Sequence, residues 1–507
     1  MIAEFFVLIL LAAAAVAGAW LIGVRSFWLA FPLGLAMTMV LRVLSYALFH
    51  EAHLYALVNP VYFALLGATV IVAAWRAKLG QRLWQMIAPA VGVAVLAVVS
   101  TRVIGAQGTP HGDSHWILAV AHLFDINGNL YILGGHTPIK RGFMYPMMLA
   151  LGPKDEYLSS FTPFIFAALG AAAVWLIIEL SKKYDARRLW IVSGILAVTT
   201  FTAIMPLRSI FYINGHTTMG LGIMLTAAGV VIAAREGKLN TILRVMVLSG
   251  VFIIASARVE GIVLAAVAVL PLLSRRWILR RDIMLIVSAA TIPLAIWLVS
   301  YHSYLIRGLK LPYWAFPIVL IGGGLIAAVK WLDWLRFRSV AIGVGAFAGI
   351  FIAAEIFLRN GLRQGNYALI TNLLGSVDPA TGRFIQEGGW GLIVILLPVA
   401  LWLGISFSRG KGFAGWLGLT KFSVELRTTL VIFISLVLSS MFAKMLDSGQ
   451  FGSPTLGRPG WSDSLNRMWI HVFALMLVIT AVALIENEKL WSWLPLKKSN
   501  ETAKVAK

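Results

Sequence analysis

Long apolar runs, each about the length needed to cross a lipid bilayer, recur along almost the whole chain. A transmembrane helix needs about 20 mostly apolar residues, and about 13 to 15 segments of this chain satisfy that rule. The 507 residues are 60% hydrophobic and only 12% charged, more apolar surface than a water-soluble protein can bury. The sequence therefore predicts an all-α polytopic membrane protein, with one integral membrane domain over residues 1–507.

Two further features limit the kinds of protein that this chain can be. The first run, MIAEFFVLILLAAAAVAGAWLIG, has no basic segment ahead of it, so we expect a retained membrane span and not a cleaved signal. Cysteine is absent, which excludes disulfides, thiolate catalysis and Cys-ligated metals. This composition suits a bacterial protein of the inner (plasma) membrane.

The formal charge of +21 follows the predicted topology. Basic clusters recur at every second connection: 75–82, 181–188, 235–240, 274–282, 330–338, 408–413 and the tail 497–507. Loops rich in Lys and Arg stay on the cytoplasmic side, so these connections and the C-terminus are predicted to be cytoplasmic. The charge is then explained without nucleic acid, and we expect no nucleic-acid partner.

The intervening connections, which face outward in this topology, carry arginines together with acids. The largest are residues 105–160, 358–390 and 446–466. Topology alone does not favour arginines on this side. Arginine forks suit carboxylate and phosphate groups, so an anionic ligand is expected at the outer face.

The first of these loops contains HGDSHWILAVAHLFDINGNLYILGGHTPIKRGFMYPMML, residues 111–149. Its spacing predicts two short amphipathic helices lying in the membrane interface, near 114–124 and 141–152, joined by a turn sequence. Asp113 precedes the first helix, where it either caps that helix or serves as a general base. Asp125 lies in D-I-N-G and is predicted to be a turn residue.

The basic and histidine residues of this loop allow more than one interpretation. Lys140 and Arg141 either reach lipid headgroups or bind the phosphate of a lipid-linked donor. The four histidines are His111, His115, His122 and His136. Their spacing matches no zinc pattern, so no metal site is predicted, although a divalent metal stays an open alternative.

Two other outward clusters contain ionisable residues at span boundaries. Arg258 and Glu260 lie at the turn between two spans, where they form either a structural pair or part of a polar cavity. Arg208, Tyr212 and His216 follow one another at intervals of four and share a face if that segment is helical.

Two of these segments resemble the integral-membrane glycosyltransferases of the GT-C superfamily. RGFMYPMMLALG, with Arg141, Gly142, Tyr145 and Pro146, is similar to an R-P-P-G-Y-P segment of that superfamily, and RVEG, from Arg258 to Gly261, is similar to its RPEG. The resemblance covers residues 86–275, a GT-C-like core with its catalytic loop at 105–160. Residues 1–85 would be an N-terminal helical extension, and residues 276–507 would supply further helices and outer loops.

The resemblance implies an inverting enzyme that moves a sugar from a polyprenyl-phosphate carrier to a cell-envelope acceptor at the outer face. It makes Asp113 the catalytic base. Donor phosphate and sugar would be bound by Lys140, Arg141, Tyr145, Arg208, His216, Arg258 and Glu260. The sequence departs from the pattern in two ways: Ser114 follows Asp113 where many relatives have a second acid, and roughly three or four spans precede the loop.

The late loops offer an acceptor-binding region. Aromatic faces beside polar groups suit a sugar-bearing acceptor, which would be a glycan, a lipid or a glycolipid. The residues are Arg363, Tyr367, Arg383 and Trp461. Two alternatives stay open: a transporter or flippase for a lipid-linked or anionic envelope substrate, and an envelope polysaccharide polymerase or ligase.

Overall fold

The computed structural model describes residues 2–51, 54–78, 81–103, 117–122, 124, 142–152, 159–211, 215–258, 261–273, 275–300, 376–377, 384–385, 389–405, 422–447 and 459–492. These residues are almost entirely helical. Beyond the helices they form one antiparallel pair of two-residue strands, β1 (Ser376–Val377) and β2 (Phe384–Ile385), with Ser376 opposite Ile385. Between its two ends a helix forms all its backbone hydrogen bonds internally, which hydrocarbon requires of a spanning segment.

Helices α1 to α8 occupy the first part of the chain. They are α1 (Ile2–Leu21), α2 (Phe27–Glu51), α3 (Val58–Arg76), α4 (Gln81–Val103), α5 (Met144–Leu149), α6 (Phe161–Ser181), α7 (Ala186–Thr202) and α8 (Ile204–Ser209). A 3₁₀ turn, Tyr55–Leu57, precedes α3.

The remaining helices follow. They are α9 (His216–Glu236), α10 (Thr241–Ala257), α11 (Gly261–Leu273), α12 (Arg280–Ser300), α13 (Ile393–Ile405), α14 (Val424–Asp447), α15 (Pro459–Glu486) and α16 (Glu488–Ser492).

Seven helices in the described part of the chain are long and apolar enough to cross a membrane: α1, α2, α3, α4, α6, α9 and the apolar part of α15. Shorter apolar helices accompany them, among them α10, α11 and α13. The chain is therefore a multi-pass membrane protein, as predicted. Four candidate spans precede residue 105. The total of 13 to 15 transmembrane helices stays a prediction.

Helix α9 lies at the centre of the bundle. Its span is 94% buried, and α6, α10, α11, α14 and α15 pack around it. The contact with α10 is close because two glycines face each other: a Cβ added at Gly222 would lie 2.9 Å from Gly250 O, and one added at Gly250 would overlap Thr226 Oγ1. Small residues let helix backbones approach in this way inside membranes.

The helix ends on one side of the bundle are joined by ion pairs, and we call this side the ion-pair end. Its pairs are Glu179 with Lys182 and Arg235, Lys183 with Glu486, Arg188 with Glu488, and Arg244 with Asp282. They link the connections at 181–188, 235–240 and 274–282, which the sequence assigns to one side of the membrane. The structure thus brings these basic clusters together, and their cytoplasmic location stays a prediction.

Helix caps fix the chain at the ion-pair end. Asp185 accepts a hydrogen bond from Arg187 N at 2.8 Å at the start of α7, and Asn240 accepts one from Leu243 N at 3.0 Å at the start of α10. Helix α9 ends at Gly237, whose φ of 67° is left-handed. The short connection from α9 to α10 is therefore held at both helix ends.

The two helices expected in the loop at 105–160 are present in part; the first keeps an exposed face at Ala119 and His122, whereas the second is buried. Residues 117–122 are helical, and Ile117, Val120 and Ala121 are buried. All six residues of α5 are buried, and α5 packs against α2 and α10. The exposed polar face expected of an interfacial helix is not found in α5, because the MYPMML sequence has no charged side chain to present to water.

We predict that Gly250→Ala lowers the midpoint of thermal unfolding in detergent, because the new methyl group forces α10 away from Gly222 and Thr226. Overpacking of this kind typically costs ~1–3 kcal/mol. Gly170→Ala in α6 is the matched control, since a Cβ there meets nothing within 4 Å. Equal midpoints for the two variants would contradict the close packing of α9 and α10.

Candidate functional site

Three segments that are far apart in the sequence meet at the end of the bundle opposite the ion-pair end. Phe143 N donates to Ser256 O at 3.1 Å, which joins the segment before α5 to the end of α10. A Cβ added at Gly215 would lie 3.7 Å from Ala257 O and 3.9 Å from Tyr145 Cβ. The start of α9 therefore touches both of the other segments.

Gly142 is required at this meeting point. Its φ is +65°, a conformation that residues with a side chain rarely adopt, and a Cβ there would overlap the backbone of Ser256 and Ala257. Gly142 and Phe143, in the first segment that resembles a GT-C motif, are thus held against Ser256 and Ala257, which directly precede the second, by a backbone contact that only glycine allows.

Helix α15 adds a histidine that the sequence did not single out. His471 Nε2 lies 2.7 Å from His216 Nδ1, and both rings are buried. The half-buried Arg258 lies close enough to act electrostatically on His471. We call Tyr145, His216, Arg258 and His471 the polar junction.

The Cβ atom of Tyr145 lies beside Gly215, whereas its hydroxyl lies at the start of α6. The hydroxyl shares a hydrogen bond with Thr162 Oγ1. Burial raises the pKa of the Tyr145 phenol, so the group is protonated at neutral pH. Its hydroxyl thus acts as a neutral hydrogen-bonding group between α5 and α6.

A buried carboxylate supports the start of α6. Glu4 is 2% exposed, accepts from Ser160 N at 2.8 Å and has Arg102 Nη2 at 3.8 Å. Phe161 N donates to Ser159 Oγ at 3.3 Å. The N-terminus of α6 is therefore satisfied by acceptors from within the chain, and the terminal dipole favours the acid placed there.

The structure brings together three of the residues predicted to bind the donor: Tyr145, His216 and Arg258. Arg208 lies in α8 and Trp461 in α15, and for these two the structure describes the backbone alone. The other predicted residues lie outside the described part of the chain: Asp113, Lys140, Arg141, Glu260, Arg363, Tyr367 and Arg383. Among the described residues, no group of three His, Asp or Glu side chains is placed to hold a metal ion.

The end of the late loop at 358–390 packs into the bundle. Met205 N donates to Gly389 O at 2.9 Å, and Leu392 N donates to Thr202 Oγ1 at 3.1 Å. The Trp390 ring is fully buried beside Phe473 of α15. This tryptophan therefore anchors the loop to α7, α8 and α15, and its buried ring offers no face to a sugar.

An apolar cavity of about 510 Å³ lies beside the polar junction. It runs between α6, α7 and α15, and its lining includes Leu169, Phe473 and Leu477. Leu169 and the backbone of His471 both lie against Gly220 of α9, which places one end of the cavity about one helical turn from the junction.

We predict that Gly142→Ala lowers the thermal unfolding midpoint more than Gly237→Ala does. Both glycines have a φ near +65°, so both variants bear the ~1–2 kcal/mol cost of a left-handed residue. Only at position 142 does the methyl group also overlap a neighbouring backbone. Thermal unfolding of the two purified variants in the same detergent measures the difference, and a midpoint for Gly142→Ala at or above that of Gly237→Ala would contradict the contact.

Comparisons with protein-family models, with curated proteins and with solved structures find no match to this chain. Its function is therefore inferred from its own residues and their geometry.

Proposed function

We propose that this protein is an integral-membrane glycosyltransferase. It transfers a sugar from a polyprenyl-phosphate carrier to a cell-envelope acceptor at the outer face of the membrane, with inversion at the anomeric carbon. The observation that carries the proposal is the backbone contact between the segment at Gly142 and the end of α10 at Ser256–Ala257. It supports a single site built from the two segments that resemble GT-C motifs.

The charges at the polar junction suit the leaving group of this reaction. A lipid phosphate departs with its negative charge, and preorganised cations in a water-poor site stabilise that charge. Arg258 lies at this position, and in the proposal Lys140 and Arg141 approach it from the segment that precedes Gly142. His216 then provides a hydrogen bond to the phosphate or the sugar, and Tyr145, whose hydroxyl bonds Thr162, positions α5 against α6 beside the donor.

The apolar cavity suits the other part of the donor. Its lining is almost wholly apolar, and it begins about one turn from His471. A polyprenyl chain lying there would bring its phosphate to the polar junction. Burial of each chain methylene contributes about 0.8 kcal/mol, so the cavity supports retention of a lipid carrier.

Asp113 is the proposed base. In one displacement the acceptor oxygen bonds to the anomeric carbon, the bond from that carbon to the phosphate oxygen breaks, and the acceptor proton passes to the Asp113 carboxylate. Inversion in a single displacement needs only one general base of this kind. No metal is assigned to the step.

The transporter alternative draws on a different observation. Arg42 is 2% exposed within α2, with its guanidinium 5.3 Å from the ring centre of Tyr62. Ionisable residues enclosed in a span often mark a transport path. The glycosyltransferase proposal is preferred because the junction of the two motif segments lies at a helix end and not in the middle of the bundle.

We predict that Asp113→Asn lowers sugar transfer by roughly 100-fold or more, the usual effect of removing a general base. The measurement is transfer of radiolabelled sugar from a panel of polyprenyl-phosphate donors by purified protein, with donor affinity measured in parallel. Donor affinity should change little, because the base contacts the acceptor. Asp125→Asn, in the turn of the same loop, is the control and should retain transfer.

Two results would count against the proposal. Wild-type transfer by Asp113→Asn would make this residue a helix cap. Failure of the wild-type protein to use any donor, together with flux of a lipid-linked substrate across proteoliposomes, would replace the enzyme with a transporter.

A further inference from the structure

The first turn of α9 is a buried helix N-terminus without a side-chain cap. His216, Thr217 and Thr218 form this turn, and all three are buried. The N–H groups of a first turn have no partner inside an α-helix. Gly215, at the capping position, has no side chain to accept from them. The turn therefore presents donors that no described side chain caps.

Two hydroxyl groups of the same turn also lack partners. Thr217 Oγ1 and Thr218 Oγ1 are buried, and neither forms a hydrogen bond within the described part of the chain. Buried threonines elsewhere in the spans behave differently: Thr226, Thr429 and Thr480 each donate to the carbonyl four residues earlier. Leaving buried hydroxyls without partners costs free energy, which a ligand accepting from them would recover.

His471 brings a third unpartnered polar atom close to this turn. Its Nε2 bonds His216 at the first position of α9, and its Nδ1 is buried with no hydrogen-bond partner among the described residues. The His471 backbone lies against Gly220, one turn further along α9. Side chains tilt toward the N-terminus of their own helix, and α9 and α15 run in the same direction, so the ring reaches back to the first turn.

The described groups at this turn include two sources of positive charge. Arg258 acts electrostatically on His471, and the N-terminus of α9 carries the positive end of its helix dipole. At the neighbouring N-terminus of α6 the chain supplies its own acid, Glu4. At α9 the described residues supply a cation, two hydroxyls and an imidazole, which is a set of groups that favours a bound anion.

We propose that the first turn of α9 is a phosphate-binding site, in which Thr217, Thr218 and His471 act together with the backbone N–H groups and Arg258. The proposal rests on the proposed function for the identity of the ligand, the phosphate of the lipid-linked donor. Nonbridging phosphate oxygens accept from the two hydroxyls and from the N–H groups of the turn. Three residues not identified from the sequence thereby join the donor site.

The test is equilibrium binding of farnesyl phosphate to the full-length protein in detergent, by calorimetry and by the shift in thermal unfolding. Replacing both threonines, Thr217→Val together with Thr218→Val, keeps their shape and removes their hydroxyls. We expect affinity to fall by roughly tenfold or more, because hydrogen bonds to a charged group are lost. Thr226→Val, on the same helix with a satisfied hydroxyl, is the matched control and should bind as the wild type does.

The ligand-free protein provides a check on folding. Removing two unpartnered buried hydroxyls should leave the unfolding midpoint of the double variant equal to or above that of the wild type. Its stabilisation by farnesyl phosphate should be lost. Retained affinity in a folded double variant would overturn the proposal, and so would the absence of farnesyl phosphate binding to the wild type.

Two further ligands identify the source of the phosphate. Inorganic phosphate that binds as tightly as farnesyl phosphate would support the site with free phosphate as its ligand, and farnesol should show no dependence on the two hydroxyls. Binding that depends on the threonines, in a protein that transfers no sugar, would uphold this site and reject the glycosyltransferase. Sugar transfer by the double variant with an unchanged KM for the donor would uphold the glycosyltransferase and reject this phosphate site.

Discussion

Helix α9 has almost no face left for lipid, because neighbouring helices pack around it and 94% of its span is buried. A helix end enclosed in this way must find partners for its free backbone groups inside the protein or in a ligand. The facing glycines Gly222 and Gly250 bring α10 close along its length. This contact sets the end of α10, and with it Arg258, beside the first turn of α9.

The two ends of the bundle solve the problem of polar groups differently. At the ion-pair end, carboxylates meet arginines and lysines from neighbouring helices, and Asp185 and Asn240 cap the helices that begin there. At the opposite end the start of α6 is satisfied by Glu4, whereas the start of α9 is lined by groups that attract an anion. The first end is built for stability, and the second has the features of a binding site.

Much of the helical architecture follows from the sequence, because hydrocarbon allows few structures other than helices and because basic loops mark alternate helix ends. His216 and Arg258 stand out in the sequence as ionisable residues at span boundaries. His471 does not, since it lies in the apolar stretch MWIHVFALMLV and only its contact with His216 gives it a role. Thr217 and Thr218 likewise look like ordinary span residues until the burial of the first turn is known. The burial of α5 and of Trp390 likewise cannot be predicted from the sequence, because it depends on tertiary neighbours.

In the proposed function, a lipid-linked phosphate binds at the polar junction with its chain in the adjoining cavity. The most direct measurement is cross-linking of a photoreactive polyprenyl phosphate to the protein in lipid nanodiscs, with labelled peptides identified by mass spectrometry. We expect labels at residues 142–152, 215–220 and 470–477, suppressed by excess polyprenyl phosphate and not by the matching alcohol. Labels concentrated at the ion-pair end, or labels that both competitors suppress equally, would contradict it.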